Sequence, residues 1–335
     1  MIPQTQPIGT KQTWQISLAN AVKDPEELLK QLGLTNELSA IQGDIIKNFP
    51  LKVPQSYIDK MRYGDKDDPL LRQVFPLFDE AVSVENYIAD PVGDSLALTA
   101  PGVLQKYHGR ALLVTTGACA IHCRYCFRRH YPYSDNNPLS SQWLETLATL
   151  RSDSSINEVI LSGGDPLLLT DAKLSAMVAD LEKIPHLKRL RIHTRLPIVL
   201  PERIDSFLLK WLKNTHLQVI MVVHANHANE IDPEVACALD NLRHVDCQLL
   251  NQAVLLKGVN DDAESLVALC ERLSEVHVLP YYLHLLDPVA GASHFDVSEQ
   301  IGINLIEKIR QALPGYLVPR LVREQQGKKS KTIIA

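Results

Sequence analysis

From Ala111 onward, short apolar runs rich in β-branched residues alternate with longer stretches whose apolar positions recur at helical spacing. Residues 111–115, 158–161, 189–194, 217–223, 248–255 and 278–283 read as strands; 140–151, 171–183, 203–213, 233–243, 261–275 and 298–312 read as the helices between them. Six β/α units of this kind require a parallel sheet with helices outside it, since parallel strands are joined by right-handed crossovers. The expected architecture is a doubly wound sheet or a full or partial β/α barrel. In either, ligands bind at the C-terminal ends of the strands.

Polar residues gather where that rule places them. A cysteine-rich loop follows the first strand, Ser162-Gly163-Gly164-Asp165-Pro166 the second, and His193-Thr194-Arg195 ends the third. His224-Ala225-Asn226-His227 comes after the fourth, Asn251-Gln252 lies in the fifth, and His284 and Asp287 come after the sixth. The first 75 residues read as helical and irregular. Asp24-Pro25-Glu26-Glu27 has the composition of a helix start, and Pro50, Pro54 and Pro69 divide the next stretch of chain into short pieces. The run from Arg62 to Asp68 reads as a solvated turn. The organisation expected is an N-terminal extension over 1–100, a β/α unit over 101–315 and a C-terminal segment over 316–335, without internal repeats.

The chain has 335 residues, is 45% hydrophobic and carries a formal net charge of -5. That apolar fraction is ample for a large core, and the mild acidity gives no footprint for nucleic acid. The start, Met1 to Pro7, lacks the charged and apolar regions of a signal peptide, and no apolar run is long enough to span a bilayer. The expectation is a cytoplasmic protein with no membrane partner. Cys237, Cys247 and Cys270 stand alone in apolar surroundings and read as buried free thiols.

The remaining three cysteines form Cys119-x3-Cys123-x2-Cys126. Three intracellular thiols in one loop point to a metal site rather than a disulfide. They can hold a [4Fe–4S] cluster by three irons and leave the fourth open, or join His122 or His130 around zinc. A zinc knuckle usually staples a domain that lacks a core. This loop hangs from the first strand of a large one, which favours the cluster.

Cys119-x3-Cys123-x2-Cys126, with Tyr125 before the last cysteine, resembles the radical S-adenosylmethionine (SAM) motif, and Arg124-Tyr125-Cys126-Phe127-Arg128-Arg129 resembles the lysine 2,3-aminomutases. The likeness continues through Ser162-Gly163-Gly164-Asp165-Pro166-Leu167, Arg195-Leu196-Pro197, His224-Ala225-Asn226-His227, Asn251-Gln252 and Gly315-Tyr316-Leu317-Val318-Pro319. The stretch from Arg124 to Tyr133 is similar in particular to the branch that supplies β-lysine for modification of elongation factor P.

The resemblance implies a partial (β/α)6 barrel of the radical SAM type, with an N-terminal helical extension and a short C-terminal tail closing the mouth. It implies three cofactors: the [4Fe–4S] cluster on Cys119, Cys123 and Cys126, SAM, and pyridoxal 5′-phosphate (PLP). Ser162, Gly163, Gly164, Asp165, His224 and Gln252 are its SAM contacts, with Asp165 a charge partner. Lys331 occupies the position of the PLP Schiff-base lysine, with Arg110 and Lys106 as cations on the phosphate side. An imine needs the free amine, so burial and neighbouring cations are expected around Lys331. Lys328 and Lys329 lie close enough in sequence to be confused with it. Arg128 matches the grip on the substrate carboxylate, and Asp287 and Glu324 match two acids for the ε-ammonium, Glu324 being a methylene longer than the family's aspartate.

The activity implied is an isomerase converting L-lysine to β-lysine by 2,3-amino migration. Its partners would be a one-electron reductant of flavodoxin or ferredoxin type and, functionally, elongation factor P and its ligase; an oligomer is compatible with the chain. Three alternatives stand beside it: an aminomutase for another cationic amino acid, a radical SAM enzyme that has lost PLP, and a zinc-stabilised protein-binding module.

Overall fold

The computed structural model describes residues 13–36, 49–133 and 142–335. The opening Met1 to Pro7 and positions 140 and 141 of the first expected helix lie outside them. One ten-stranded sheet organises the molecule, with its strands in sequence order. They are β1 (Leu98–Ala100), β2 (Val103–Leu104), β3 (Arg110–Thr116), β4 (Glu158–Gly163), β5 (Arg189–Thr194), β6 (Gln218–Val223), β7 (Gln248–Val254), β8 (Leu279–His284), β9 (Arg320–Arg323) and β10 (Thr332–Ile333). Strands β3 to β9 run parallel, and β1, β2 and β10 add antiparallel edges. The sheet is not closed.

Short helices α1 (Thr13–Ala19), α2 (Pro25–Gln31), α3 (Gln55–Ile58) and α4 (Pro69–Arg72) build the extension. Then come α5 (Trp143–Ser152), α6 (Asp171–Leu181), α7 (Leu196–Val199), α8 (Ser206–Asn214), α9 (Pro233–Arg243), α10 (Ala263–Glu275) and α11 (Glu299–Ala312). Side-chain caps decide where several begin. Asp205 accepts from Phe207 and Leu208 N–H, Asp232 from Val235 N–H and Asp262 from Ser265 N–H, so α8 and α10 start later than periodicity alone indicates.

Strand parity positions the site. Side chains alternate across a strand, so Ala111 and Leu113, Val159 and Leu161, Leu190 and Ile192, Met221 and Val223, and Leu249 and Ala253 all point outward into one core shared with the helices. Each fully buried leucine or isoleucine there contributes about 1.5–3 kcal/mol relative to exposure. The opposite parity, Arg110 and Leu112, Ile160 and Ser162, Arg191 and His193, Gln252 and Val254, Tyr282 and His284, lines an inner cavity. The charged and polar side chains of the strands gather on that side because it is not the core.

The sheet is continuous through positions 100 and 315: β1 and β2 pair through a turn at Gly102, whose φ is 68°, and lead into β3, while β9 continues the parallel sheet. Trp14, Leu28 and Tyr57 of the extension belong to the same core as the sheet. Asp68 is buried rather than solvated, because its carboxylate caps α4 through Leu70 and Leu71 N–H and accepts from Arg62 N–H. Cys247 and Cys270 are buried free thiols, but Cys237 is exposed on α9.

Candidate active site

The cavity at the C-terminal strand ends has a volume of ≈ 420 Å³, and Cys119, Cys123 and Cys126 line it. The loop that carries them is clamped by the extension. Lys52 Nζ donates to the Cys119 carbonyl at 2.7 Å, and Arg124 N–H donates to the Gln73 carbonyl at 2.9 Å. Glu80 accepts from Arg124 Nε at 2.8 Å and NH2 at 2.5 Å, and from Arg129 NH2 at 2.9 Å, all in a buried site. Phe49 stacks against both guanidiniums, 4.8 Å from Arg124 and 4.6 Å from Arg129. Arg124 and Arg129 therefore fix the loop.

The glycines after β4 pack against the same loop. A Cβ on Gly164 would lie 2.2 Å from the Ala118 carbonyl oxygen, and one on Gly163, where φ is +124°, would lie 2.5 Å from that of Thr116. Gly164 and Asp165 N–H donate to the Thr116 and Ala118 carbonyls at 2.6 and 2.8 Å. The close approach that needs glycine is thus between two loops of the protein. Gly164→Ala is expected to lower the unfolding free energy of the cofactor-free protein by roughly 1–3 kcal/mol, as overpacking does. Chemical denaturation would show it, with Gly315→Ala, where nothing lies within 4 Å, as the silent control.

The donor set fits a cluster better than a single ion. Among the described residues no three His, Cys, Asp or Glu side chains converge on one metal position. His122 Nδ1 lies 2.7 Å from the Pro50 carbonyl and His130 Nε2 3.1 Å from that of Ala290, and neither ring lines the cavity that the three cysteines face. Three thiols facing one cavity suit the separate corners of an iron–sulfur cube. Burial pushes the Cys126 thiol up to about 11 and raises that of Cys119 well above its ordinary value, so thiolates here need the positive charge that iron supplies.

Ser162, Gly163, Gly164, Asp165, His224 and Gln252 all line the cavity. Asp165, expected as a charge partner of SAM, is also bonded within the protein. Its carboxylate accepts from Thr194 Oγ1 at 2.7 Å and from Leu167, Arg195 and Leu196 N–H at 3.1, 2.8 and 3.2 Å, which ties the β4 loop to the end of β5. His224 is held by Tyr125, whose hydroxyl lies 3.0 Å from Nε2. Burial, with Arg195 nearby, pushes the His224 imidazole down to about 3, so it faces the cavity neutral.

The opposite wall comes from the tail. The chain turns back between β9 and β10 at Gly327, φ 76°, bringing Glu324 and Lys331 to the mouth. Lys328 and Lys329 are exposed. Lys331 is paired with Glu324, an anion where neighbouring cations were expected. Lys106 Nζ lies 3.1 Å from Glu324 Oε1 and 2.6 Å from Asp94 Oδ1, and Asp94 Oδ2 accepts from Arg128 Nε at 2.6 Å. Arg128 NH1 also reaches Ser162 Oγ at 3.1 Å. Arg128, Asp94, Lys106, Glu324 and Lys331 thus form one chain of alternating charge along the cavity wall.

Burial opposes ionisation of Glu324, but Lys331 and Lys106 hold its carboxyl down at about 2. Asp287 is the contrary case: burial pushes it up to about 7, with Lys331 pulling the other way. Its Oδ1 has no partner, nor have Arg191 Nε and His193 Nε2, and all three side chains line the cavity. Three unsatisfied buried polar atoms mark a wall built for a polar ligand. Arg110, its guanidinium 5.5 Å over the Tyr107 ring, adds a cation at that end. These residues fit a phosphorylated, amine-binding cofactor and a charged amino acid.

Sequence reasoning missed Asp94, Glu80, Tyr107, Arg191 and the full reach of Arg195. Arg191 was legible from strand parity, since it shares a face of β5 with His193. Glu80 and Asp94 carried no signal, because they enter from irregular chain.

Residues 113–218 match the radical SAM superfamily. The chain is 45% identical to an L-lysine 2,3-aminomutase of Haemophilus influenzae over 335 residues, 100% of this chain and 99% of that one. It is 45% identical to one of Escherichia coli, covering 96% and 94% of the two chains, and 32% identical to one of Clostridium subterminale, covering 95% and 77%. With the three cysteines at the mouth of an open β/α sheet and likeness over its whole length, the chain belongs to the lysine 2,3-aminomutase family of radical SAM enzymes, which are isomerases.

Proposed function

We propose that the protein converts L-lysine to β-lysine with PLP as a second cofactor, and that the β-lysine serves the modification of elongation factor P. The observation that carries the PLP part is Lys331 lining the same cavity as Cys119, Cys123 and Cys126, together with side chains that have unpartnered polar atoms. The link to elongation factor P rests on the likeness of the stretch from Arg124 to Tyr133 to that branch of the family.

When bound, the cluster and SAM supply one-electron chemistry, and PLP supplies a π-system able to take up an unpaired electron. The protein holds and orients. Cys119, Cys123 and Cys126 would ligate three irons; Ser162, Gly163, Gly164, His224 and Gln252 would face SAM, with Asp165 bracing their loop. Lys331 would anchor PLP, with Arg110 toward its phosphate. Arg128 offers a guanidinium fork for the substrate carboxylate, braced by Asp94. Asp287, with one oxygen unpartnered, would take the ε-ammonium, whose arrival favours the ionised carboxylate. Glu324 repels a side-chain carboxylate and so selects for cationic substrates, while holding Lys331 and Lys106. A low-potential reductant of flavodoxin or ferredoxin type would deliver the electron.

The test is chromatographic separation followed by fragmentation mass spectrometry of lysine incubated anaerobically with reconstituted protein, SAM, PLP and dithionite. β-Lysine is expected, and its formation should stop when PLP is removed. No β-lysine from protein of full iron and sulfide content would overturn the reading, and turnover of another cationic amino acid in its place would reassign the substrate to the pocket length set by Glu324.

A further inference from the structure

Arg195, just after β5, is where the cysteine loop and the N-terminal extension meet. Its NH1 lies 2.7 Å from Cys123 Sγ. Its NH2 is held at three points, 2.6 Å from Gln73 Oε1, 2.8 Å from Glu230 Oε2 and 3.2 Å from the Tyr57 hydroxyl. Glu230 is fixed in turn: Oε1 accepts from Asn226 N–H at 2.8 Å, His227 N–H at 3.1 Å and Gln73 Nε2 at 3.1 Å. Gln73, Tyr57 and Glu230 are all fully buried. A guanidinium pinned this way cannot swing off the sulfur, and water does not compete for it.

We propose that Arg195 sets the reduction potential of the iron–sulfur cluster through its hydrogen bond to the Cys123 sulfur, with Gln73, Tyr57 and Glu230 holding the bond in place. The inference rests on the reading of Cys119, Cys123 and Cys126 as cluster ligands. A donor on a cluster thiolate draws electron density from the iron and stabilises the reduced, more negative state. Glu230 offsets the guanidinium charge at longer range, so the directed N–H···S bond is what remains at the cluster. The step it governs is uptake of one electron by the oxidised cluster from an external low-potential one-electron donor. Arg195 is a positioning residue for that step. Because Gln73 and Tyr57 come from the extension, the extension takes part in tuning a site it does not ligate.

The test compares anaerobically reconstituted wild type, Arg195→Gln, Arg195→Lys and Tyr57→Phe by iron and sulfide analysis and by EPR-monitored titration with redox dyes. Arg195→Gln should lower the ratio of reduced to oxidised cluster at the wild-type midpoint by about tenfold, a negative shift of about 59 mV for one electron. Arg195→Lys and Tyr57→Phe should shift it less. An unchanged midpoint in Arg195→Gln carrying a full cluster overturns the proposal. Failure of the wild type itself to take up iron and sulfide would instead overturn the ligand reading beneath it. Should Arg195→Gln not fold, wild type grown on arginine labelled with 15N in the guanidinium alone decides: the reduced cluster's pulsed EPR spectrum should show a weak guanidinium-nitrogen coupling, and its absence overturns the proposal.

Discussion

Lys331→Ala is expected to abolish the borohydride-trapped PLP adduct and to cut amino migration at least roughly 10³-fold, the scale on which removal of a covalent catalytic group acts. The structure separates this residue from its neighbours in the tail. Lys331 lines the cavity, whereas Lys328 and Lys329 are exposed. A Lys328→Ala, Lys329→Ala double variant should therefore keep the adduct and the activity. The Lys331→Ala variant should stay folded, because Glu324 retains Lys106 at 3.1 Å when Lys331 is removed. Peptide mapping of the reduced adduct is the direct measurement, and a PLP-modified peptide carrying Lys328 or Lys329 would displace the assignment.

The second large effect lies outside the cavity. Glu80→Gln is expected to lower the unfolding free energy of the cofactor-free protein by about 3–5 kcal/mol, the range for breaking a buried charge pair. Two guanidiniums depend on Glu80, and the Arg124 side chain is 0% exposed, so water cannot replace the lost charge. Chemical denaturation gives the stability. Iron content after reconstitution gives the functional consequence, which should fall with it because Arg124 sits between Cys123 and Cys126. Replacing Arg203, whose NH2 meets Asp171 at 2.8 Å and whose hydrogen bonds go to Leu167, Leu169 and Asp171 rather than to the cysteine loop, would lower stability without that selective loss of iron.

Most of the β/α framework was legible in the chain because two different periods alternate in it. Strands β3 to β8 and the helices between them follow the hydrophobic pattern to within a few residues, and the discrepancies at α8 and α10 arise from Asp205 and Asp262, which cap rather than enter their helices. The short edge strands were not legible. β1, β2 and β10 hold two or three residues each, too few to show a period, and they exist because neighbouring backbone groups pair with them.

The sequence by itself determined the parallel sheet and the polar face at its strand ends, and it brought three thiols into one loop, since these follow from local periodicity and spacing. The tertiary structure alone decided who holds whom. Glu80 and Gln73, far ahead of the cysteines in the chain, lock their loop; Asp165, on the cavity wall, braces the end of β5; Glu324 closes on Lys331 and Lys106. Such pairings depend on where distant segments of chain come together in space, and a buried charge takes whichever partner packing brings within reach. Nothing in the spacing of a single chain encodes that distance.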